Sequence, residues 1–330
     1  MSMRVGLAFD PALMPATATM VMRPMKIHLD TDLAGDLDDV CALAMLLKWP
    51  GVEITGITTV GDIDGRRAGY VHYVLGLAGR GDIPVAAGAD QSGGYYAYPM
   101  GFPEHDDYWP EPVAPVPGPI ELAFELIEHS IQSDATIIGI GPYTNFALFD
   151  TLHPGLLAEA PVCLMGGYVN PVPPGYPQWG RDDDFNVQVD VASAYHVLQH
   201  CIPTLVPLEI TVQTALRRAY LDDLRRLGPL GELIARQGEA QKREYRNEEV
   251  HGRAHERVPD DILNFQHDPL ACAVALGWDG VTIEPMSLRL DVVGEQLHMT
   301  RDPAGSPYPV VTAVDGPRFN DFWRDIVCNS

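Results

Sequence analysis

The stretch DTDLAGDLDD, residues 30–39, sets Asp30, Asp32, Asp36, Asp38 and Asp39 within ten positions. Carboxylates this close repel one another at neutral pH and gain nothing from burial unless a cation neutralises them. An all-oxygen donor set of this kind suits Ca²⁺ or Mg²⁺. A plainer reading is helix capping, since an aspartate at the start of VCALAMLL would accept orphan backbone N–H groups. Asp38 or Asp39 is expected to do so, but one cap uses one aspartate, and metal binding is the favoured reading. The spacing superficially matches a calcium loop of the EF-hand kind. Ala34 and Cys41 occupy positions where that loop needs ligands, and a strand rather than a helix precedes, so this reading fails. An aspartate-nucleophile phosphatase would also show D-x-D after a strand, with Thr or Val where Ala34 stands. That reading stays open as a competitor.

Other segments carry polar residues at turns. HDPLACAV (267–274) places Pro269 at an expected first helical position, with Asp268 as N-cap and His267 beside it. GIGPYTNFALF (139–149) follows a strand and opens a helix. Its G-x-G invites a dinucleotide reading, yet Asn145 stands where a third glycine would be required. MGGYVN (165–170) and DDDFNV (182–187) set a glycine turn and further polar groups after another strand.

The elements that must position these groups alternate. MKIHLD, VEITGITTV, IPVAAG, ATIIGIG, APVCLMGG and PTLVPLEI read as strands, several apolar on both faces. VCALAMLLKW, GRRAGYVHYVLGLAGR, IELAFELIEHSIQ, NFALFDTL and DVASAYHVLQH read as helices between them. This order predicts an α/β fold: an open, mostly parallel sheet with helices on both faces, and ligands beyond the carboxyl ends of its strands. Two long loops, 91–118 and 168–184, carry Tyr95, Tyr96, Tyr98, Phe102, Tyr108, Trp109, Tyr168, Tyr176 and Trp179. Loops of that length are often lids or binding loops. Residues 221–263 read as a charged helical region, followed by a β-hairpin and a closing helix, FNDFWRDIV. No repeat or linker divides the chain, so one domain from residue 25 to 330 is expected behind an N-terminal extension, 1–24.

Composition bounds the function. The 330 residues are 46% hydrophobic and carry a formal net charge of −23, which disfavours nucleic acid and anionic membranes as partners. Five scattered cysteines without a C-x-x-C pair predict reduced thiols in a cytoplasmic protein. Asp10, Pro11 and Pro15 interrupt the short apolar run after Arg4, which argues against a signal peptide.

Taken in order, LDTD…DDVCALAMLL, ITGITTVGD, IPVAAG, GPYTNFAL, LMGG, DFN and HDPLACAV resemble the inosine-uridine preferring nucleoside hydrolase family over residues 26 to about 275. The resemblance implies hydrolysis of a ribonucleoside N-glycosidic bond over a bound Ca²⁺, in a homodimer or homotetramer. It makes Asp32 a calcium ligand and the general base. Asp39, the Thr144 carbonyl and Asp268 complete the protein ligands. Asp38, Asp62, Met165, Asp184 and Asn186 would meet the nucleoside, His267 would be the acid near the leaving base, and Asp30 would support the ligands from behind. Three departures stand out. Five residues rather than three separate DTD from DD, which leaves Asp36 as a possible ligand. Asp62 replaces the family's Asn, and Asp184 replaces its Glu. Two other functions compete: metal-dependent phosphohydrolysis, and nucleoside or sugar binding without catalysis.

Overall fold

The computed structural model describes residues 24–91 and 107–329. Its strands are β1 (Met25–Thr31), β2 (Val52–Thr59), β3 (Val85–Ala87), β4 (Thr136–Gly139), β5 (Val162–Met165), β6 (Thr204–Val206), β7 (Ala215–Arg217), β8 (Ile262–Phe265), β9 (Val281–Val293), β10 (Gln296–Arg301) and β11 (Ser306–Val314). The helices are α1 (Asp38–Lys48), α2 (Arg66–Leu77), α3 (Glu121–Gln132), α4 (Thr144–Leu152), α5 (Phe185–Gln188) and α6 (Val191–His200), then α7 (Leu208–Thr211), α8 (Leu221–Arg225), α9 (Pro229–Tyr245), α10 (His267–Ala275) and α11 (Gly316–Asn329).

Nine strands form one mixed sheet in the order β10-β9-β11-β6-β5-β4-β1-β2-β3, while β7 and β8 pair separately. From β3 through β6 to β11 the neighbours are parallel, and β9 runs antiparallel to both β10 and β11. The expected mostly parallel α/β sheet is therefore the observed one. The chain moves outward from β1 to β3, then crosses back to lay β4 on the other side of β1. That reversal opens a crevice at the carboxyl ends of β1 and β4, where open sheets bind ligands. The acidic run leaves β1 there.

Central position explains the composition of β1. Ile27, His28, Leu29, Asp30 and Thr31 are all fully buried, because helices cover both faces of the sheet. Helix α1 is buried continuously from Asp38 to Leu46, which suits its unbroken apolar sequence. Trp323 of α11 closes over it, donating its indole N–H to the Cys41 carbonyl at 3.1 Å.

Two segments depart from expectation. PTLVPLEI is a strand only to Val206; from Leu208 the chain turns into α7, since Pro207 cannot continue the ladder. The charged region 221–263 holds α8 and α9 but ends in β8. The expected C-terminal hairpin is present, with β11 returning along β9. Residues 1–23, and Tyr95, Tyr96, Tyr98 and Phe102, lie outside the described residues. All five cysteines are free thiols. Among the described residues no helix is long and apolar enough to cross a membrane.

Candidate active site

Two helix starts meet at the crevice. Leu37, not an aspartate, is the N-cap of α1, so Asp38 and Asp39 stand inside its first turn with no capping bond. Asp268 likewise does not cap α10. The N-cap is Gln266, and Asp268 is the helix's second residue. Its backbone N–H donates across to Asp38 Oδ2 at 3.3 Å. The expected caps are thus replaced by a contact between helices. Carboxyl oxygens of Asp38, Asp39 and Asp268 lie within 4.8 Å of one another. All three groups are buried, and Thr31 Oγ1 donates to Asp39 Oδ1. Burial, reinforced by the neighbouring carboxylates, pushes each of these carboxyls well above its usual range.

Asp32 stands beside this triad and is also buried. Its own carboxyl is raised by burial, with the Arg67 guanidinium opposing the shift. The Asp32 carbonyl accepts from Gly35 N–H at 3.2 Å and from Arg67 Nη1. A Cβ at residue 141 would sit 3.0 Å from both Asp32 N and Oδ1, so the turn after β4 can approach this closely only as glycine. In the enlarged loop Ala34 adopts φ 82°, a left-handed conformation unfavourable for alanine. Asp36 is exposed on the cleft wall. Its Oδ1 accepts from Leu37 N at 2.6 Å, Gln241 Nε2 at 2.5 Å and Asn264 Nδ2 at 2.9 Å. Asp36 therefore ties the loop to α9 and β8.

Behind the triad, Asp30 Oδ2 accepts from Thr58 Oγ1 at 2.5 Å and Asn145 Nδ2 at 2.7 Å, while Oδ1 has no hydrogen-bond partner among the described residues. Burial pushes its carboxyl up to about 7. His28 bridges Ser130 and Thr58 at 2.9 Å each, and burial lowers it to about 3. Asn145 also donates to the Thr59 carbonyl at 2.9 Å and accepts from Ala89 N–H at 2.8 Å. The asparagine that disrupted the dinucleotide pattern thus joins three segments beneath the site.

The remaining expected residues divide between cleft and interior. Asn186 and Met165 line the cleft, and Asn186 Nδ2 is held by the Ile140 carbonyl at 2.8 Å and Met165 Sδ at 3.1 Å. The Thr144 hydroxyl donates to Asp190 Oδ2 at 2.6 Å, so any contribution of Thr144 to the cleft falls to its backbone. Asp62, expected at the nucleoside, is not on the cleft wall. It accepts from Arg67 N–H at 2.7 Å, Ala68 N–H at 2.9 Å and Thr59 Oγ1 at 2.7 Å, securing the start of α2. Asp184 is likewise buried behind the wall, accepting from Gly167 N–H at 2.7 Å, with its carboxyl pushed up to about 7 by burial. Asp183 and Phe185 on either side reach the cleft instead.

His267 lines the cleft, and its Nδ1 lies 2.7 Å from Thr211 Oγ1. That hydroxyl donates to the Leu208 carbonyl at 3.3 Å and so accepts from the ring. Nδ1 then carries the proton, leaving Nε2 as an acceptor. Burial lowers His267 to about 4, so it is neutral at neutral pH. This burial disfavours the proton-donor role that the resemblance implies for His267.

The cleft encloses about 700 Å³. Several of its walls escaped sequence reasoning: Arg67, Gln237, Gln241, Glu244 and Tyr245. Gln237 and Gln241, one helical turn apart on α9, were the available signal, since long polar side chains buried on a helix face a polar partner. Arg67 had no such signal; its Nε donates to the Gly61 carbonyl and its Nη1 to those of Asp32 and Leu33. Trp179 stands on the wall against Phe265, ring centroids 5.0 Å apart, and is tilted 36° to His267 at 6.0 Å. Tyr108 donates to Glu244 Oε2 at 2.6 Å and joins Trp109 on the same wall.

An open α/β sheet whose switch point holds converging carboxylates under an aromatic-walled cleft has the form of an enzyme site for a small ligand. Residues 27–321 match the family described as inosine-uridine preferring nucleoside hydrolase, and the chain belongs to that family. It is an N-glycosyl hydrolase of ribonucleosides within a metal-dependent family. It is 30% identical over 229 residues to the pyrimidine-specific ribonucleoside hydrolase RihA of Salmonella agona, an alignment covering 64% of this chain and 70% of that one. The fold is similar to a purine-preferring ribonucleoside hydrolase from Gardnerella vaginalis, with TM-score 0.73 and 22% identity, covering 92% and 98% of the two chains. It is also similar to the plant nucleoside hydrolase PpNRh1, with TM-score 0.71 and 18% identity, covering 93% and 100%.

Proposed function

We propose that the protein hydrolyses ribonucleosides with Ca²⁺ held by Asp32, Asp39, Asp268 and the Thr144 carbonyl, releasing ribose and a free base. The convergence of buried carboxyls at the α1–α10 junction supports this reading most. Their donors are all oxygen, and a hard divalent cation would relieve the burial and repulsion that raise them. When bound, Ca²⁺ would supply Lewis-acid polarisation and a template for the ribose hydroxyls.

The chain's own groups account for the rest. Asp32, placed at the head of the cleft beside the carboxylate triad, accepts the proton of the attacking water. Asp38, oriented by the Asp268 N–H, meets the ribose 2′-hydroxyl with its free oxygen. The carboxylate field stabilises the positive charge that develops on the sugar as the C–N bond breaks. Asn186 and Met165 form the neighbouring ribose wall. His267, neutral and with Nε2 free, serves the base as a hydrogen-bond acceptor beside Trp179, where a stacked ring would exclude water.

The pyrimidine specificity of the Salmonella relative makes cytidine and uridine the first substrates to try. The acidic surface is compatible with a free nucleoside in the cytoplasm, and a homodimer or homotetramer serving nucleoside salvage is part of the same reading. A phosphohydrolase would need a phosphate-binding cation in the cleft; Arg67 lines the cleft but commits Nε and Nη1 to backbone carbonyls, which favours the glycosidic reading. The test is chromatographic detection of free base from a panel of pyrimidine and purine ribonucleosides, run beside phosphate esters. Base release from at least one nucleoside supports the reading. Phosphate release without base release overturns it, and tight nucleoside binding without turnover would leave a binding protein.

A further inference from the structure

A second group of ligand-type side chains lies apart from the cleft. Asp150 of α4 and His196 and His200 of α6 each offer one atom, and these atoms all lie within 4.8 Å of one another. None of the three residues lines the cleft. We propose that they form a separate site for a divalent transition cation, with Zn²⁺ as its representative.

The local geometry prepares all three. His196 and His200 are one helical turn apart and share a face of α6, their ring centroids 4.3 Å apart. Asp150 is buried, and Gly155 N–H fixes its Oδ1 at 3.0 Å while Oδ2 lies 2.8 Å from His196 Nε2. His200 Nδ1 lies 2.8 Å from the His196 carbonyl oxygen. A carbonyl only accepts, so Nδ1 carries the proton and the Nε2 lone pair is left for a ligand. That division of the two ring nitrogens is the one found in metal-binding histidines, whose second nitrogen is oriented by a backbone or carboxylate acceptor. Zn–N bonds of about 2.0–2.1 Å would set tetrahedral ligand atoms roughly 3.3 Å apart. Exposed His200 closes that gap by side-chain rotation.

Metal entry breaks the hydrogen bond between His196 and Asp150. Metal–nitrogen and metal–oxygen bonds replace it, the neutral ring transferring its proton from Nε2 to Nδ1 by exchange with solvent so that the Nε2 lone pair meets the ion, with water completing the coordination. Two imidazoles and one carboxylate favour Zn²⁺ over Ca²⁺, whereas the all-oxygen triad has the opposite preference. The bound ion would staple α4 to α6. These helices already meet where the Thr144 hydroxyl donates to Asp190, the side-chain cap of α6.

The test is titration of Zn²⁺ into the full chain with Ca²⁺ saturating, followed by calorimetry, with thermal melting in parallel. The wild type should bind Zn²⁺ and melt at a higher temperature. His200→Ala should weaken binding at least roughly tenfold and abolish the rise in melting temperature, and Asp150→Asn should do the same. His200→Ala should leave Ca²⁺ affinity and nucleoside turnover unchanged. Absence of Zn²⁺ binding by the wild type would overturn the proposal. So would binding by His200→Ala equal to that of the wild type, which would put the ion on other histidines.

Discussion

The backbone N–H of Asp268 donates to Asp38 Oδ2 at 3.3 Å, joining the first turns of two helices 230 residues apart. Neither helix start uses its aspartates as caps; both present them to a common point. The positive ends of the two helix dipoles there offset part of the repulsion. A cation bound at that point would offset the remainder.

Asp38→Asn removes one like charge while preserving shape and the acceptor for Asp268 N–H. The metal-free variant should melt above the metal-free wild type, because repulsion falls. Calcium affinity should fall, because a negative charge beside the ligands is lost although Asp38 is not itself one of them. Calorimetry and melting on the same samples check both, and a variant less stable than wild type without metal would contradict this account.

Stability without metal should fall as pH rises from about 4 to about 8. Asp30 and Asp184 are raised from 3.8 to about 7, so their contribution is complete below the unfolded value and is lost as pH climbs through 7. The raised carboxyls of Asp38, Asp39 and Asp268 act in the same direction. His28 and His267, lowered from 6.5 to about 3 and about 4, act oppositely: stability grows as pH rises towards 6.5. The acids outnumber them. Melting temperatures in chelator should decline across this window, and the added stability from Ca²⁺ should grow with pH. A flat or rising profile in chelator would count against the charge assignment.

Asn145→Ala should destabilise the fold by about 1–3 kcal/mol, because it strips a donor from buried Asp30 and leaves the Ala89 N–H and Thr59 carbonyl short of a partner. Urea unfolding measures it. A loss below about 0.5 kcal/mol would mean water replaces the amide.

His267→Ala should raise KM more than it lowers kcat, since a neutral acceptor contributes binding. Loss of a proton donor would instead lower kcat by about 10²–10⁴. The acid limb of the pH profile should show no break near 6.5 that vanishes in this variant.

How much of this was legible in the sequence depends on whether local pattern or tertiary contact decides each feature. The alternation behind β1–β6 and the buried face of α1 follow from hydrophobic pattern. So does the departure of the acidic run from a central strand. Caps were misread because Asp38, Asp39 and Asp268 satisfy the local preference at a helix start, yet a contact 230 residues away redirects them. Arg67 carried no local signal; its burial depends on the carbonyls of Gly61 nearby and of Asp32 and Leu33 in a turn more than thirty residues away. Asp62 and Asp184 kept the motif's order while their carboxylates turned to backbone N–H groups. Strand β8 was hidden because its four residues follow a long charged stretch.

The most direct test of the central claim is ribose release under calcium control. Purified protein should liberate reducing sugar from a ribonucleoside with Ca²⁺ present, lose that activity in excess chelator and regain it when Ca²⁺ is restored. In the same assay Asp32→Asn, still folded, should lose at least roughly 10³-fold in kcat. Sugar release that persists undiminished in chelator, or that survives in Asp32→Asn, would contradict the account.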